Sequence, residues 1–497
     1  MSSGLILAID QGTTNTKALL VGRSGSPVFR ASAPVALIHS ARGHVEQDPQ
    51  QLWASAVAVV GECIRHAAES GSFIEALGIS SQRETAVAWN AETGASIGNA
   101  ISWQCGRSAE ICRRLEPRAG SIRAKTGLPL ATLISAGKWA WVLENNCQAA
   151  NLASSGALHF GTVDSWLIHR LTEGRVHATD LSNASRTGLL DLQQLRWDAE
   201  LLNLFGISPT SMPELRSSSG SFGACASIAG LDGIPILAAI GDSHAAMFGH
   251  GEYAAGTVKA TYGTGSSLMA LTRGLAQDTH VLARTIAWSI ADKTQFALEG
   301  NIAMTGSAVQ WVGEFLHFVE PAQQAAALAA TVTHADGVYF VPAMVGLGAP
   351  HWDAAARGTI TGLGRTHTSA HLARAAVEAI AYQVADVFSA MERAEGAAFP
   401  VLHADGGATR NSSLMQFQAN ILGRPVLRSE NEDISALGAS WLAGLALGWW
   451  SGLAELATLP RKIERFTPTM ETPDRERLYC GWKAAVDRAR LKTEAEA

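Results

Sequence analysis

The chain has 497 residues, 47% apolar and 16% charged, with a formal net charge of −6. That length exceeds what one hydrophobic core organises, so two large lobes are expected, and the balance is that of a globular rather than a disordered protein. No cluster of Lys and Arg marks a nucleic-acid groove or an anionic membrane surface, which leaves small-molecule chemistry.

Residues 4–40 read as strand, turn, strand, turn, strand, the first turn being Asp10-Gln11-Gly12-Thr13-Thr14. Residues 49–70 carry helical spacing with Pro49 near the start, and EALGISSQRETAVAWN (75–90) reads as strand, polar junction, strand. Strands and helices alternate to about residue 250, ending in a strand, Gly241-Asp242 and a helix. The second half opens on another strand and glycine turn, VKATYGTGSSLMAL, and continues through a long helix at 369–395, HADGGATRN (403–411) and a helical tail around 475–495. The uncharged run 434–453 has nearly the length of a membrane span, but its Gly, Ala and Ser content and missing basic flank predict a buried helix. Each half pairs a strand with an Asp-Gly or Gly-Thr-Gly turn, which predicts a duplicated α/β lobe with ligand between the copies. The expected domains are 1–250, 251–460 and a tail, 461–497, packed on the second lobe.

The six cysteines, Cys63, Cys105, Cys112, Cys147, Cys225 and Cys480, form no C-x-x-C pair and are expected to be reduced, mostly buried thiols. The first apolar run ends at Asp10 without a basic leader, so no signal peptide is expected and a cytoplasmic location is. The tryptophans Trp139, Trp141, Trp449 and Trp450 are expected to pack rather than to stack on a ligand.

Asp10–Thr14 is not a Walker loop, because its glycine lies between two strands and Lys17 comes three residues after Thr14. It reads either as a plain hairpin or as one whose backbone N–H groups and Thr13 and Thr14 hydroxyls face a phosphate, with Asp10 beside Mg²⁺. TYGTGSS (261–267) is a second glycine turn with hydroxyls, and DGGATRN (405–411) places two glycines where a base or ribose could approach. Asp242, at a strand-to-helix junction, is either a helix cap or a general base that the helix N-terminus keeps ionised. Each motif is weak alone. Their combination and order are not.

These motifs, with SQRETAVAW, AISWQCGRSAEIC, FGTVDSWLI, LMQFQANILG and GTITGLGRTHTSAHLARAAVE (358–378), resemble the FGGY carbohydrate kinases of the actin-like ATPase superfold, and among them the glycerol kinases, nearly end to end. The resemblance implies two actin-like, ribonuclease H-like α/β lobes with ATP and substrate in the cleft between them. It places Asp10 by the metal and the transferring phosphate, with Thr13, Thr14 and Lys17 nearby and Thr264 at the β- and γ-phosphates. Gly306, Gln310, Gly407 and Asn411 match nucleotide positions. Asp242 matches the catalytic base, and Arg83, Glu84 and Trp103 match polyol-binding positions. ATP, Mg²⁺, a small polyol or ketose and a homo-oligomer, dimer or tetramer, follow as expected partners.

Three acceptor positions depart from glycerol kinases, where Leu133, Ser243 and Ser267 stand in place of tyrosine, glutamine and phenylalanine. All three changes shorten the side chain, which predicts a larger pocket and an acceptor of four or five carbons phosphorylated on a terminal hydroxyl. Glycerol itself, or a sugar-responsive regulator on the same superfold, are the rival readings; the retained Arg83, Glu84 and Asp242 favour an enzyme. No Arg or Lys stands in ASIAGLDGIP (226–235), so the sugar-bisphosphate inhibition of some bacterial glycerol kinases is not carried over. His244, beside Asp242, is read as either a substrate contact or a packed helix residue.

Overall fold

The structure, a computed structural model, describes residues 4–40 and 43–490. The elements that carry the argument are, to residue 250, β1 (Gly4–Gln11), β2 (Asn15–Val21), β3 (Pro27–Pro34), α1 (Pro49–Glu69), β4 (Phe73–Ser81), α2 (Ser135–Asn145), β5 (Ile236–Gly241) and α3 (Asp242–Gly249). Beyond it come β6 (Val258–Tyr262), β7 (Ser266–Leu271), α4 (Gly306–Phe315), α5 (Ser369–Glu395), β8 (Leu402–Asp405), α6 (Ser412–Leu422), β9 (Val426–Ser429), α7 (Ile434–Leu447), β10 (Ile463–Phe466) and α8 (Thr472–Ala489). The part of the expected tail helix beyond Arg490 lies outside the described residues.

The chain forms two compact units, one of residues 1–253, 284–297 and 433–460, the other of 254–283, 298–432 and 461–497. The expected 251–460 segment is therefore not one unit: its stretches 284–297 and 433–460 group with the first. For the second stretch the reason is α7, whose Gly-, Ala- and Ser-rich surface packs on β1, β4, β5 and α3. A Cβ on Gly438 would lie 1.9 Å from the Ala245 carbonyl, so this close helix pairing requires glycine. Trp441 and Leu442 are fully buried, and the 14-residue helix is a core element. Among the described residues no helix is long and apolar enough to cross a membrane.

In the first unit the sheet order is β5-β4-β1-β2-β3, with β5, β4 and β1 parallel and the other pairs antiparallel. In the second, β9-β8-β6-β7 repeats that order and sense, and β10 joins β9 antiparallel. The duplication read from the turns is thus present in the strands, and it makes the β1–β2 and β6–β7 hairpins equivalent. α1 shows how local chemistry builds such a unit. Asp48 caps it by accepting from the Gln50 N–H at 2.8 Å, Pro49 opens it, and Leu52, Ala56, Val59, Val60, Cys63 and Ala67 make the buried stripe. All six cysteines are free, but Cys147 and Cys480 are exposed and Cys112 half-buried, so fewer are buried than expected.

Histidines surround the core residue Trp89, where the rings of His159 and His177 stack at 3.8 Å and His169 meets the indole at 5.3 Å. Burial pushes His169 down to about 4 and His177 down to about 3. An unfolded histidine titrates near 6.5, so as pH falls below that value the unfolded state takes up protons that the folded state refuses, and stability drops. Asp10 and Asp164, both raised to about 6, act in the opposite sense over the same window. The histidine contribution is therefore isolated by difference. His177→Gln keeps a donor for the Phe160 carbonyl, which the imidazole meets at 2.8 Å. It should remove about 2 kcal/mol of the stability loss between about pH 7 and about pH 5, measured by urea unfolding at both. An unchanged pH dependence would refute this assignment.

Candidate active site

The β1–β2 hairpin pairs Asp10 with Lys17, and its tip is closed by the Gly12 N–H donating to the Asn15 carbonyl at 2.9 Å. Asp10 sits at the end of its strand, accepting from Ser80 Oγ at 2.8 Å. Burial pushes its carboxyl up to about 6; Ser80 pulls it down, Asp242 adds to the rise, Lys17 opposes it and Asp433 adds to it. Lys17 is not left pointing from the hairpin: its Nζ lies 3.0 Å from Asp433, whose other oxygen takes Arg30 Nε at 2.9 Å. Thr13 is half-buried and Thr14 exposed at the tip.

Of the expected acceptor positions, Arg83, Glu84, Trp103, Leu133, Asp242 and Ser243 lie in the same unit as this hairpin, and Ser267 in the other. β4 runs into Gln82–Thr85, where the Thr85 N–H donates back to the Arg83 carbonyl at 2.8 Å across Glu84, which has φ +60°. Such a tight three-residue turn on a non-glycine residue costs of order 1–3 kcal/mol and persists where surroundings over-determine it. Here they do. Arg186 Nε donates to the buried Glu84 carboxylate at 2.7 Å, and Ser135 Oγ donates to the Glu84 carbonyl at 3.1 Å. Lys138, on α2 and fully buried, donates to the carbonyls of Leu133 and Ile134. Burial brings its ammonium down to about 8, opposed by the charge of Glu84. Leu133 is thus held by its backbone carbonyl on Lys138.

β5 delivers Asp242 as the first residue of α3, with Gly241 rather than Asp242 as the cap. Its Oδ1 accepts from the Ser243 N–H at 2.6 Å and lies 3.4 Å from Arg83 Nε. His244 is fully buried with Nε2 3.2 Å from Thr285 Oγ1, which makes it a packed residue. Trp103 Nε1–H donates to Thr13 Oγ1 at 3.0 Å, joining an acceptor position to the hairpin.

In the second unit, the turn at Thr264 is docked on the start of α4. The Thr305 and Ser307 N–H groups donate to the Thr264 carbonyl at 3.0 and 3.1 Å, and the Gly306 N–H to the Gly263 carbonyl at 3.0 Å. A Cβ on Gly306 would meet that Gly263 oxygen at 2.6 Å, so glycine is what permits the docking. Gln310, one helical turn on, bonds Glu314 at 2.9 Å. Gly407 opens the short turn after β8, and Asn411 caps α6 by accepting from the Leu414 N–H at 3.1 Å. Ser267, on β7, donates to the buried Glu299 at 3.0 Å.

Models of the N-terminal and C-terminal domains of the FGGY family of carbohydrate kinases match residues 5–249 and 258–447. The chain belongs to this family. It is an FGGY carbohydrate kinase, a phosphotransferase with an alcohol group as acceptor, built from two actin-like, ribonuclease H-like α/β domains. Glycerol kinases of Symbiobacterium thermophilum and Burkholderia vietnamiensis are 45% and 44% identical, each over 99% of both chains. The crystal structure of Plasmodium falciparum glycerol kinase with ADP superposes with a TM-score of 0.93 at 31% identity, covering 99% of each chain.

The sequence reading missed Ser80, Lys138, Arg186 and Asp433, which hold Asp10, Leu133, Glu84 and Lys17. Lys138 could have been found as a charge flanked by Ala, Gly and Trp in α2; the others carry no such signal.

Proposed function

We propose that this FGGY kinase uses ATP with Mg²⁺ to phosphorylate the terminal hydroxyl of a four- or five-carbon polyol or ketose. The observation that carries the reading is an acceptor set kept in its gripping members, Arg83, Glu84 and Asp242, and shortened at Leu133, Ser243 and Ser267. The ADP in the Plasmodium falciparum relative supports the nucleotide. Asp10 fits a divalent cation, because burial and the neighbouring Asp242 disfavour its charge and a cation would offset both. Bound there, Mg²⁺ supplies neutralisation of the phosphate oxygens.

In this reading Glu84 and Arg83 hold hydroxyls at one end of the acceptor. Asp242 takes the proton of the attacking hydroxyl, whose oxygen forms the new bond to the γ-phosphorus as the bond to the β,γ-bridging oxygen breaks. The hairpin N–H groups and the Thr13 and Thr14 hydroxyls meet the phosphate oxygens. The shorter side chains at these three positions favour an acceptor longer by one or two carbons, and a methylene is worth about 10- to 200-fold in discrimination.

The test is kcat/KM for glycerol, erythritol, threitol, erythrulose, the pentitols and the pentuloses. A four- or five-carbon acceptor should lead glycerol by about tenfold or more. Glycerol as acceptor is the second reading, favoured by full-length identity of 45% to a glycerol kinase. A comparable lead for glycerol would establish it and overturn the larger acceptor.

A further inference from the structure

A closed ring of hydrogen bonds ties the phosphate hairpin to the acceptor loop. Gln82 Nε2 donates to the Gly12 carbonyl at 3.1 Å, and Thr85 Oγ1 donates to Gln82 Oε1 at 2.9 Å. The Trp103 backbone N–H donates to Thr85 Oγ1 at 3.2 Å, while its indole N–H donates to Thr13 Oγ1. Thr13 follows Gly12, which closes the ring. Gln82 and Thr85 are buried, and the hairpin is braced further by the Gln82 N–H on the Gln11 carbonyl and by Gln47 Nε2 on the Thr13 carbonyl, both at 2.8 Å. Arg83 and Glu84 lie on the loop between two members of the ring.

The ring has one polarity. An indole N–H can only donate, so Thr13 Oγ must accept from it and turn its own proton elsewhere. Thr85 accepts from the Trp103 backbone and gives its proton to Gln82 Oε1, which turns Gln82 Nε2 to the hairpin carbonyl. Thr13 therefore presents an O–H donor, the polarity a phosphate oxygen requires.

We propose that Gln82 and Thr85 are positioning residues that, through Trp103, make acceptor seating set the orientation of the Thr13 hydroxyl. An acceptor packed on Trp103 fixes the indole, and the fixed indole fixes the donor that faces the phosphate. This rests on the reading of Trp103 as an acceptor contact and Thr13 as a phosphate contact.

The experiment compares Thr85→Val, Thr85→Ser, Trp103→Phe, Thr13→Val and the Trp103→Phe/Thr13→Val double variant. It measures kcat, acceptor KM and ATP hydrolysis with and without the best acceptor, with a melting curve for each protein. Thr85→Val and Trp103→Phe should each lower acceptor-stimulated turnover about three- to tenfold and narrow its ratio to acceptor-free hydrolysis, while Thr85→Ser stays within about twofold of the parent. Trp103→Phe should cost no further turnover once Thr13 is valine, because both changes remove the same bond. Additive losses in that cycle overturn the proposal, and so does a folded Thr85→Val with parental kinetics. Should Thr85→Val fail to fold, the cycle at Trp103 and Thr13 decides alone. A parent enzyme stimulated by no acceptor in the panel would instead overturn the functional reading on which the ring rests.

Discussion

Asp242→Asn is expected to lower kcat by about 10²- to 10⁴-fold, the usual contribution of a positioned general base. The substitution is nearly isosteric and keeps an oxygen for the Ser243 N–H, which Asp242 meets at 2.6 Å, so the start of α3 should survive. On the proposed mechanism it removes the proton acceptor, and with it goes one of the charges that raise the carboxyl of Asp10. ATP affinity should stay within about threefold of the parent, since an amide at this position removes a base rather than a nucleotide contact. Stopped-flow or coupled ADP release gives kcat, and fluorescence titration gives the affinity. Turnover within a few-fold of the parent would remove Asp242 from the role of base.

Arg186→Met should destabilise the first unit by about 3–5 kcal/mol, because it leaves a buried carboxylate without its partner. Glu84 and Arg186 are 4% and 2% exposed and meet at 2.7 Å, and Glu84 is also held in a left-handed turn that this contact helps to maintain. The decisive comparison is with Glu84→Met/Arg186→Met. Two apolar side chains of similar volume cost little in place of a buried pair, so the double variant should recover most of the loss while remaining inactive. Urea unfolding of both reads the difference. A single variant within about 1 kcal/mol of the parent would show that the pair is structurally dispensable. Acceptor KM should rise in the single variant even below its unfolding temperature, since Glu84 then loses the bond that aims it.

The elements that were legible were those whose signal is local. The β1–β2 hairpin, the Pro49 start of α1, the 369–395 helix and the strand that delivers Asp242 are each written in turn chemistry or periodicity over a few residues. The burial of α7 was legible too, because an uncharged Gly- and Ala-rich helix without a basic flank has little other use. Its allegiance was not: β1, β4 and α3, on which it packs, lie some 190 to 430 residues away in the chain. The contact grouping departs from the boundaries read at 250 and 460 over 433–460 for that reason, while the family models divide the chain between 249 and 258.

The sequence by itself determined the family, the two duplicated lobes and the residue types at the site, because those depend on motif order and on local backbone preferences. It also holds the three short side chains, Leu133, Ser243 and Ser267, on which the proposed acceptor rests, since a side chain's size is a property of the residue alone. Tertiary structure alone decided what holds each of these groups: Ser80 on Asp10, Asp433 on Lys17, Arg186 on Glu84, and the ring through Gln82, Thr85 and Trp103. These are contacts between residues 3 to 416 apart, made by polar side chains that carry no periodicity. Burial then sets their strength: the same carboxylate that is unremarkable as Asp10 in a sequence becomes, inside the fold, an acid raised to about 6.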